Sequence, residues 1–402
     1  MRWAIQRDVC FGSTGGRATP ERARVEIMLA LLLALPPLPL VEGYAPPKPL
    51  PQEPLPSLTL RLPQVVRTNY LGNGYMEVGY VLLQVASREA SPANLLRLAQ
   101  EAVRGALEAR VSLAEVDLAI YPAPYAGPKD LPLFTASVPK ARAPEFLALR
   151  TPLGYDRLWL NPGIRQEKPL EAILEDRPRY EGPEAYRAKE RAEQILASRV
   201  GHRGGVLYHG NPGRPYVALT FDDAPHPLFT PLLLDLLKRE GIKATFFVIG
   251  RNAEAYPYFI RDLVAAGHEL GNHTYHHVRL PGLEPGEIRR ELLLCNQVLE
   301  RLTRVSPRYF RPPGGRYDRT VLQVARDLGL TTVFWTDDPG DYAGLSLPVL
   351  EKRLEDHLRP GGIVLLHDNV ANTLKVLPVF IRKARAQGLA LGTVEGLVLA
   401  QR

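Results

Sequence analysis

Cysteine is scarce in this sequence. Of its 402 residues, two are cysteines, Cys10 and Cys295. Because Cys10 lies ahead of a predicted processing site, the mature chain would keep Cys295 alone. A disulfide framework is therefore excluded as a source of stability.

Long runs of like charge are also lacking. The formal net charge is +7 and the isoelectric point is about 9.3, yet lysines and arginines are scattered and never form a run of five or more. Such a pattern predicts weak attraction to an acidic polymer or to the cell envelope, and no nucleic-acid binding.

The sequence lacks an apolar run able to span a bilayer. The most apolar stretch, "IMLALLLALPPLPLV", is short and contains Pro36 and Pro37. Arg22 and Arg24 precede it, which is typical of a signal peptide. We predict a leader over residues 1–43, export of the mature protein without a transmembrane span, and a proline-rich linker over residues 44–58.

Composition favours a soluble globular chain with one large and one smaller domain, because 45% of the residues are apolar and 23% are charged. Residues 59–165 predict a small α+β accessory domain. Strand-like runs such as "YMEVGYVLLQVA" flank a helix that has Ser91 as its N-cap and Pro92 at its first position. This part has no cluster of catalytic residue types, so we assign it a packing or substrate-presenting role. Residues 166–204 predict a helical connector.

Residues 205–402 show a regular alternation of strands and helices. Six strand-like runs alternate with helical segments: "YVALTF", "ATFFVIG", "HELGNHT", "RYFRPP", "TTVFWTDD" and "GGIVLLHD". This pattern is typical of parallel strands joined by crossover helices, and the number of units favours a (β/α) barrel over an open sheet.

Reactive side chains recur where these strands end. They are Asp222 and Asp223, His273 and His277, Arg311, Asp341, and His367 with Asp368. In a barrel of this kind the carboxyl ends of the strands form the face on which active sites are built. The sequence therefore predicts one catalytic site at this face.

The segment "HTYHH" places His273 and His277 four residues apart. If it is helical, both imidazoles lie on one face and can share a metal ion. Two histidines and one carboxylate form a recurrent hydrolytic metal site. We expect one of the adjacent aspartates, Asp222 or Asp223, to complete it and the other to act as base on a water that the metal acidifies. Chemistry alone does not decide which is which.

The order of these motifs resembles one known family. "TFDDAPHP", "HTYHH", "FRPPGG", "DPGDY" and "LLHD" follow one another as in the polysaccharide deacetylases, the NodB-homology enzymes of carbohydrate esterase family 4. The resemblance covers roughly residues 205–400. It implies a distorted (β/α) barrel and a divalent metal, usually zinc, that serves the removal of acetyl groups from N-acetylated or O-acetylated sugars.

The resemblance also implies a role for each matched residue. Asp222 would be the base, paired with Arg311, while Asp223, His273 and His277 would bind the metal. His367 would be the general acid, oriented by Asp341. A backbone N–H near Gly314 would contact the oxyanion, and Leu366 would form the wall beside the acetyl methyl group.

Three positions depart from the family pattern. Ala224 replaces a glycine, Gly314 replaces a tyrosine, and Tyr342 replaces a tryptophan. These changes concern the walls of the pocket and leave the reacting groups in place. The sequence thus predicts a metal-dependent deacetylase of an acetylated polysaccharide. Two alternatives are an amidase on a small cyclic or linear amide and a non-catalytic glycan-binding relic.

Overall fold

The computed structural model describes residues 54–127, 131–164 and 205–400. The predicted leader, the whole predicted connector and most of the predicted proline-rich linker lie outside these residues. Within the described ranges there are two sheets, one in the first 164 residues and the other after residue 205. No helix of these ranges combines the length and apolarity needed to cross a bilayer.

The first part forms a five-stranded mixed sheet with one long helix. Its elements are β1 Val65–Gly72, β2 Glu77–Val85, α1 Pro92–Ala109, β3 Glu115–Pro122, β4 Phe134–Pro139, α2 Ala143–Leu147 and β5 Leu158–Leu160. The strands are ordered β1-β2-β3-β4-β5. β2 and β3 are parallel and are joined by α1, whereas the other neighbours are antiparallel. We call this sheet with its helices the accessory sheet.

Helix α1 begins where the sequence predicts. The Ser91 side chain accepts a hydrogen bond from the Asn94 N–H, which satisfies one free donor of the first turn, and Pro92 needs no partner there. The apolar stripe of α1 packs on one face of the accessory sheet, in the cluster that contains Val81, Leu83 and Leu118. The predicted helix is thus confirmed.

The second part contains eight strands and eight α-helices. The strands are β6 Val206–Leu207, β7 Tyr216–Ala224, β8 Thr245–Val248, β9 Glu269–Asn272, β10 Tyr309–Phe310, β11 Thr331–Val333, β12 Ile363–His367 and β13 Ala390–Gly392. The helices are α3 Thr230–Arg239, α4 Gly250–Ala255, α5 Pro257–Ala265, α6 Pro285–Thr303, α7 Arg319–Asp327, α8 Leu347–His357, α9 Ala371–Ala386 and α10 Val394–Leu399.

These strands close into a distorted parallel barrel. β7 to β11 pair in chain order, and β12 pairs with the free side of β7. The ring closes after β11, where Asp337 bridges Val364 of β12 and the Leu365 N–H donates to the Asp337 carbonyl at 2.9 Å. The short strands β6 and β13 add to β11 and β7. The predicted barrel is confirmed, although several of its strands are only two to four residues long.

The accessory sheet and the barrel share one apolar core. Tyr80 and Leu82 of β2 lie in the same buried cluster as Leu236 of α3 and Phe259 of α5. Because side chains alternate along a strand, this face of the sheet is opposite to the face that covers α1. The accessory sheet is therefore sandwiched between its own helix and the helices of the barrel.

Polar contacts connect the two parts at several points. The Asn73 amide donates to the Leu232 carbonyl and to the Asp235 carboxylate, at 3.0 and 2.9 Å. Arg157 forms an ion pair with Asp262 of α5 at 2.6 Å. These bonds fix the register in which the apolar faces pack.

We expect the two parts to unfold together. Leu82→Ala removes apolar volume from the shared core, where the side chain is 1% exposed, so unfolding free energy should fall by about 2–5 kcal/mol. Val111→Ala is the control, because Val111 is 73% exposed and the change should cost less than about 0.5 kcal/mol. The measurement is chemical denaturation followed by the fluorescence of Trp159 in the accessory sheet and of Trp335 in the barrel region, each observed in a variant that lacks the other. Separate transitions, with only the Trp159 transition shifted by Leu82→Ala, would contradict a shared core.

Candidate metal centre and active site

The predicted reactive residues gather at one end of the barrel. Asp222 and Asp223 lie at the end of β7, and His367 is the last residue of β12. His273 and Arg311 directly follow β9 and β10. The strand register places His367 opposite Asp222, so residues far apart in sequence meet at the carboxyl ends of neighbouring strands.

Asp223, His273 and His277 form the candidate metal centre. Their ligand atoms lie within 4.8 Å of one another. The Asp223 Oδ1 atom is 3.1 Å from His277 Nε2 and 3.6 Å from His273 Nε2, and this buried oxygen accepts no hydrogen bond. An unpartnered carboxylate oxygen facing two imidazole nitrogens fits a divalent cation, which prefers this donor set.

The segment that carries the two histidines is not helical, so the helical argument for their proximity was wrong. Thr274 and His277 instead adopt left-handed φ angles of 64° and 59°. The Asn272 side chain accepts the Thr274 N–H at 2.8 Å, and Thr274 Oγ1 accepts the His277 N–H at 3.0 Å. These local bonds stabilise a tight loop that brings the two imidazole rings to a centroid separation of 5.0 Å.

Glu291 of α6 anchors the same loop and was not predicted from the sequence. One carboxylate oxygen accepts the N–H groups of Tyr275 and His276, and the other lies 2.6 Å from His276 Nδ1. A buried acid on a helix gives no sequence signal of this role. His276 therefore points away from the metal centre and holds the loop.

Hydrogen bonding orients His273 toward the centre. Its Nδ1 atom donates to the Arg311 carbonyl at 2.7 Å, which leaves Nε2 free to face Asp223. Desolvation lowers the pKa of His277 to about 4, against an opposing effect of Asp223. His277 is thus neutral near pH 7, the form in which histidine binds metals.

Asp222 occupies a different environment from Asp223. Its Oδ1 atom accepts from Arg311 Nη1 at 2.7 Å, and Arg311 is fully buried. Arg311 also donates to Thr220 Oγ1 and to the carbonyls of Val333 and Phe334, at 2.8, 3.2 and 3.3 Å. The adjacent carboxylates thus have different partners, because Asp222 pairs with the guanidinium of Arg311 and Asp223 faces the two histidines.

His367 is held by Asp341. The Asp341 carboxylate lies 2.8 Å from His367 Nδ1 and also accepts the His367 N–H at 2.8 Å and the Thr373 hydroxyl at 2.6 Å. Burial alone would lower the pKa of His367, but the charge and hydrogen bond of Asp341, together with the charges of Asp223 and Asp222, outweigh it, and the pKa rises to about 10. His367 is therefore an imidazolium near pH 7.

Two further predicted residues concern the pocket walls. Gly314 has a φ of 62° inside the turn Pro313–Gly315 that follows β10. Leu366 is fully buried in the apolar cluster of the outer helices, and its strand partner Phe221 lies in that cluster too. The strand partner of Leu365 is Thr220, which faces the interior and contacts Arg311. Leu365, on the same side as His367, replaces Leu366 as the candidate wall.

A second residue absent from the sequence prediction is Asn369. Its amide donates to Asp223 Oδ2 at 2.9 Å. Burial alone would raise the pKa of Asp223, but the neighbouring histidines and this amide lower it to about 2. Asp223 is thus ionised near neutral pH, as a metal ligand must be.

A cavity of about 260 Å³ lies elsewhere, between α5, α6 and the beginning of β9. Leu270, Leu299 and Tyr309 are among its lining residues, and the cavity contains none of the metal-centre residues. It opens near the amino ends of the strands, so it is separate from the candidate active site.

Comparison with known proteins identifies the family of this chain. The family model for polysaccharide deacetylase matches residues 209–333. A peptidoglycan-N-acetylglucosamine deacetylase of Bacillus cereus is 33% identical over 209 residues, which are 51% of this chain and 98% of that protein. The chain belongs to the polysaccharide deacetylase family. The predicted family and enzyme class are thereby confirmed.

Two other relatives extend the comparison. A chitooligosaccharide deacetylase of Sinorhizobium fredii is 40% identical to this chain over 157 residues, which are 39% of this chain and 73% of that protein. A second peptidoglycan-N-acetylglucosamine deacetylase of Bacillus cereus is 34% identical over 168 residues, 42% of this chain, and the match spans 61% of that relative. The matched segments of all three relatives are about half of this chain or less.

The contact between Asp341 and His367 predicts a change in pH dependence. In Asp341→Asn the carboxylate charge that raises the pKa of His367 is lost, so that pKa should fall from about 10 toward the ordinary histidine value of about 6.5. An acid is active below its pKa, so the alkaline limb of kcat/KM should move to lower pH by about two units or more.

The measurement is a kcat/KM profile from about pH 5 to about pH 11 at saturating metal, which includes the limb set by a pKa near 10. Asp356→Asn is the matched control, because Asp356 is an exposed carboxylate of α8 whose hydrogen bonds are to Lys352. An unchanged alkaline limb in Asp341→Asn would mean that His367 does not set it.

Proposed function

We propose that this chain is an exported, metal-dependent hydrolase that removes acetyl groups from N-acetylated sugars of a cell-envelope polysaccharide. The observation that carries the proposal is the meeting of three groups at one end of the barrel. They are the candidate metal centre, the Asp222–Arg311 pair and the His367–Asp341 pair. Each supplies one requirement of amide hydrolysis: a Lewis acid site, a base and an acid.

Asp223, His273 and His277 would hold the metal, and zinc suits their nitrogen and carboxylate donors. When bound, a divalent metal supplies Lewis acidity that acidifies water and polarises the acetyl carbonyl. The remaining tasks belong to side chains of this deacetylase.

Asp222 would act as base. Its Oδ1 atom accepts a hydrogen bond from Arg311, which holds the carboxylate in position to accept the proton of the attacking water. The backbone N–H near Gly314 would stabilise the negative charge that develops on the acetyl carbonyl oxygen when water attacks the carbonyl carbon. Leu365, on the interior side of β12, would lie beside the acetyl methyl group.

His367 would act as acid. As the C–N bond breaks, its imidazolium donates a proton to the sugar nitrogen, and the products are acetate and a free amine. An amine leaves poorly without this proton, so a His367 that is protonated near pH 7 suits amide substrates. The names of the relatives, peptidoglycan and chitooligosaccharide deacetylases, support N-acetylglucosamine polymers as the substrate class.

The accessory sheet would have a packing role. One face is buried against α1 and the other against helices of the barrel, so it covers apolar surface that the barrel would otherwise expose. Export rests on the predicted leader over residues 1–43, and a cell-envelope substrate is consistent with it. The glycan-binding relic is not favoured, because every reacting group is present.

The test is acetate release from N-acetylated chitooligosaccharide, peptidoglycan and an O-acetylated polysaccharide. We expect release from an N-acetylated substrate, its loss with a chelator and its return with zinc. His277→Ala should lose both bound metal and turnover, because it lacks a ligand. Asp222→Asn should keep metal and lose activity by about 10²-fold or more, because it lacks the base.

Lys352→Ala is the matched control, because Lys352 is an exposed residue of α8 that pairs with Asp356, and its activity should match the wild type. Full activity in chelator, with metal removal verified by elemental analysis, would reject the metal-dependent mechanism. Equal metal loss in Asp222→Asn and His277→Ala would reject the division of roles between the two aspartates.

His367→Ala tests the reaction type. We expect its activity on an N-acetyl sugar to fall by about 10²–10⁴-fold, and its activity on an aryl acetate to fall much less, because an aryl oxide leaves without being protonated. Metal content should be unchanged. If both substrates lose activity by the same factor, His367 has a structural role and another group is the acid.

A further inference from the structure

The two oxygens of the Asp223 carboxylate have different surroundings. Oδ1 faces His273 and His277 and accepts no hydrogen bond. Oδ2 accepts the amide N–H of Asn369 at 2.9 Å. A hydrogen bond to a carboxylate occupies lone pairs that a cation would otherwise use, so the two oxygens are not equivalent as ligands.

The position of Asn369 is fixed by the residue before it. Asp368 donates its N–H to the Asp222 carbonyl at 2.8 Å, and its carboxylate accepts the Thr230 hydroxyl at 2.5 Å. Asp368 is fully buried, and these bonds connect the segment after β12 to the end of β7 and the start of α3. Asn369 is thus presented to Asp223 from an anchored backbone.

We propose that Asn369 is a positioning residue that restricts Asp223 to binding the metal through Oδ1 alone and thereby sets the metal affinity of the site. This inference rests on the metal centre of the proposed function. The neutral amide can donate to Oδ2 without a competing charge, and its bond favours ionised Asp223. Without the amide, the carboxylate is free to rotate and to bind through both oxygens.

The experiment compares Asn369→Ala and Asn369→Leu with the wild-type protein. Asn372→Ala is the matched control, because Asn372 follows in α9 and its amide donates to the Leu345 carbonyl at 2.9 Å, not to the metal centre. Zinc affinity is measured by competition with a chromophoric chelator, which does not depend on turnover. Thermal unfolding of the metal-free proteins verifies that each variant is folded.

We expect both Asn369 variants to bind zinc about 10–100-fold more weakly than the wild type, as is usual when a hydrogen-bond partner of a ligand is removed, and Asn372→Ala to bind normally. Loading with cobalt(II) gives a second readout. Binding through a second carboxylate oxygen raises the coordination number, so the visible absorption of the Asn369 variants should weaken relative to the wild type.

Zinc binding by the wild type and by the variants distinguishes a wrong role for Asn369 from a wrong metal centre. If the wild type binds zinc and His277→Ala does not, but both Asn369 variants match the wild type in affinity and cobalt spectrum, Asn369 has no positioning role and the metal centre stands. If the wild type itself binds no zinc, the metal centre and this inference both fail. If one Asn369 variant does not fold, the other variant is used for the comparison, because alanine and leucine perturb the packing around residue 369 differently.

Discussion

The buried guanidinium of Arg311 is the interaction on which the site depends. It has no exposure to solvent, and a charge so placed is tolerated only when it is paired and hydrogen-bonded. Arg311 meets this requirement through Asp222 and Thr220 of β7 and through the carbonyls of Val333 and Phe334 at the end of β11. Its own carbonyl accepts the proton of His273 Nδ1. One residue thus connects three strands, the candidate base and a candidate metal ligand.

Two histidines of the site have pKa values that their surroundings shift in opposite directions. His277 has its pKa lowered to about 4 by desolvation, and His367 has its pKa raised to about 10 by Asp341. The first is thus a neutral ligand and the second a proton donor at the same pH. Opposite pKa shifts within one cleft separate the candidate ligand from the candidate acid.

The supports of the ligand-bearing segments come from outside the motifs. Glu291 on α6 holds the loop that carries His277, and Asn369 after β12 holds Asp223. Both act through hydrogen bonds to backbone or carboxylate, so neither needs to contact a substrate. The loop after β9 relies on such support, because a four-residue strand constrains the loop that follows it weakly.

Sequence by itself predicted the barrel and most of the residues that gather at its carboxyl end, but not Leu365, Glu291 or Asn369. Alternating strand and helix signals predicted the barrel, and the polar residues at strand ends predicted its active face, because both depend on local composition and on the general geometry of parallel strands. The sequence could also have predicted which side chains of β12 face the interior of the barrel, because side chains alternate along a strand and Leu365 and Leu366 therefore lie on opposite faces.

The family resemblance implied the pairs Asp222–Arg311 and His367–Asp341, and the tertiary structure shows why these and the other pairings form. Asp222 rather than Asp223 meets Arg311, which lies 89 residues away, because the interior of the barrel places Arg311 next to Thr220 and Asp222. The loop after His273 is not helical, and Thr274 and His277 have left-handed φ angles. Asn272, Thr274 and Glu291 stabilise this conformation because their side chains accept hydrogen bonds from the loop backbone. Asn369 reaches Asp223 across 146 residues only because β12 returns to pair with β7. Such contacts depend on ring closure, and no local pattern in the chain encodes which side chains closure brings together.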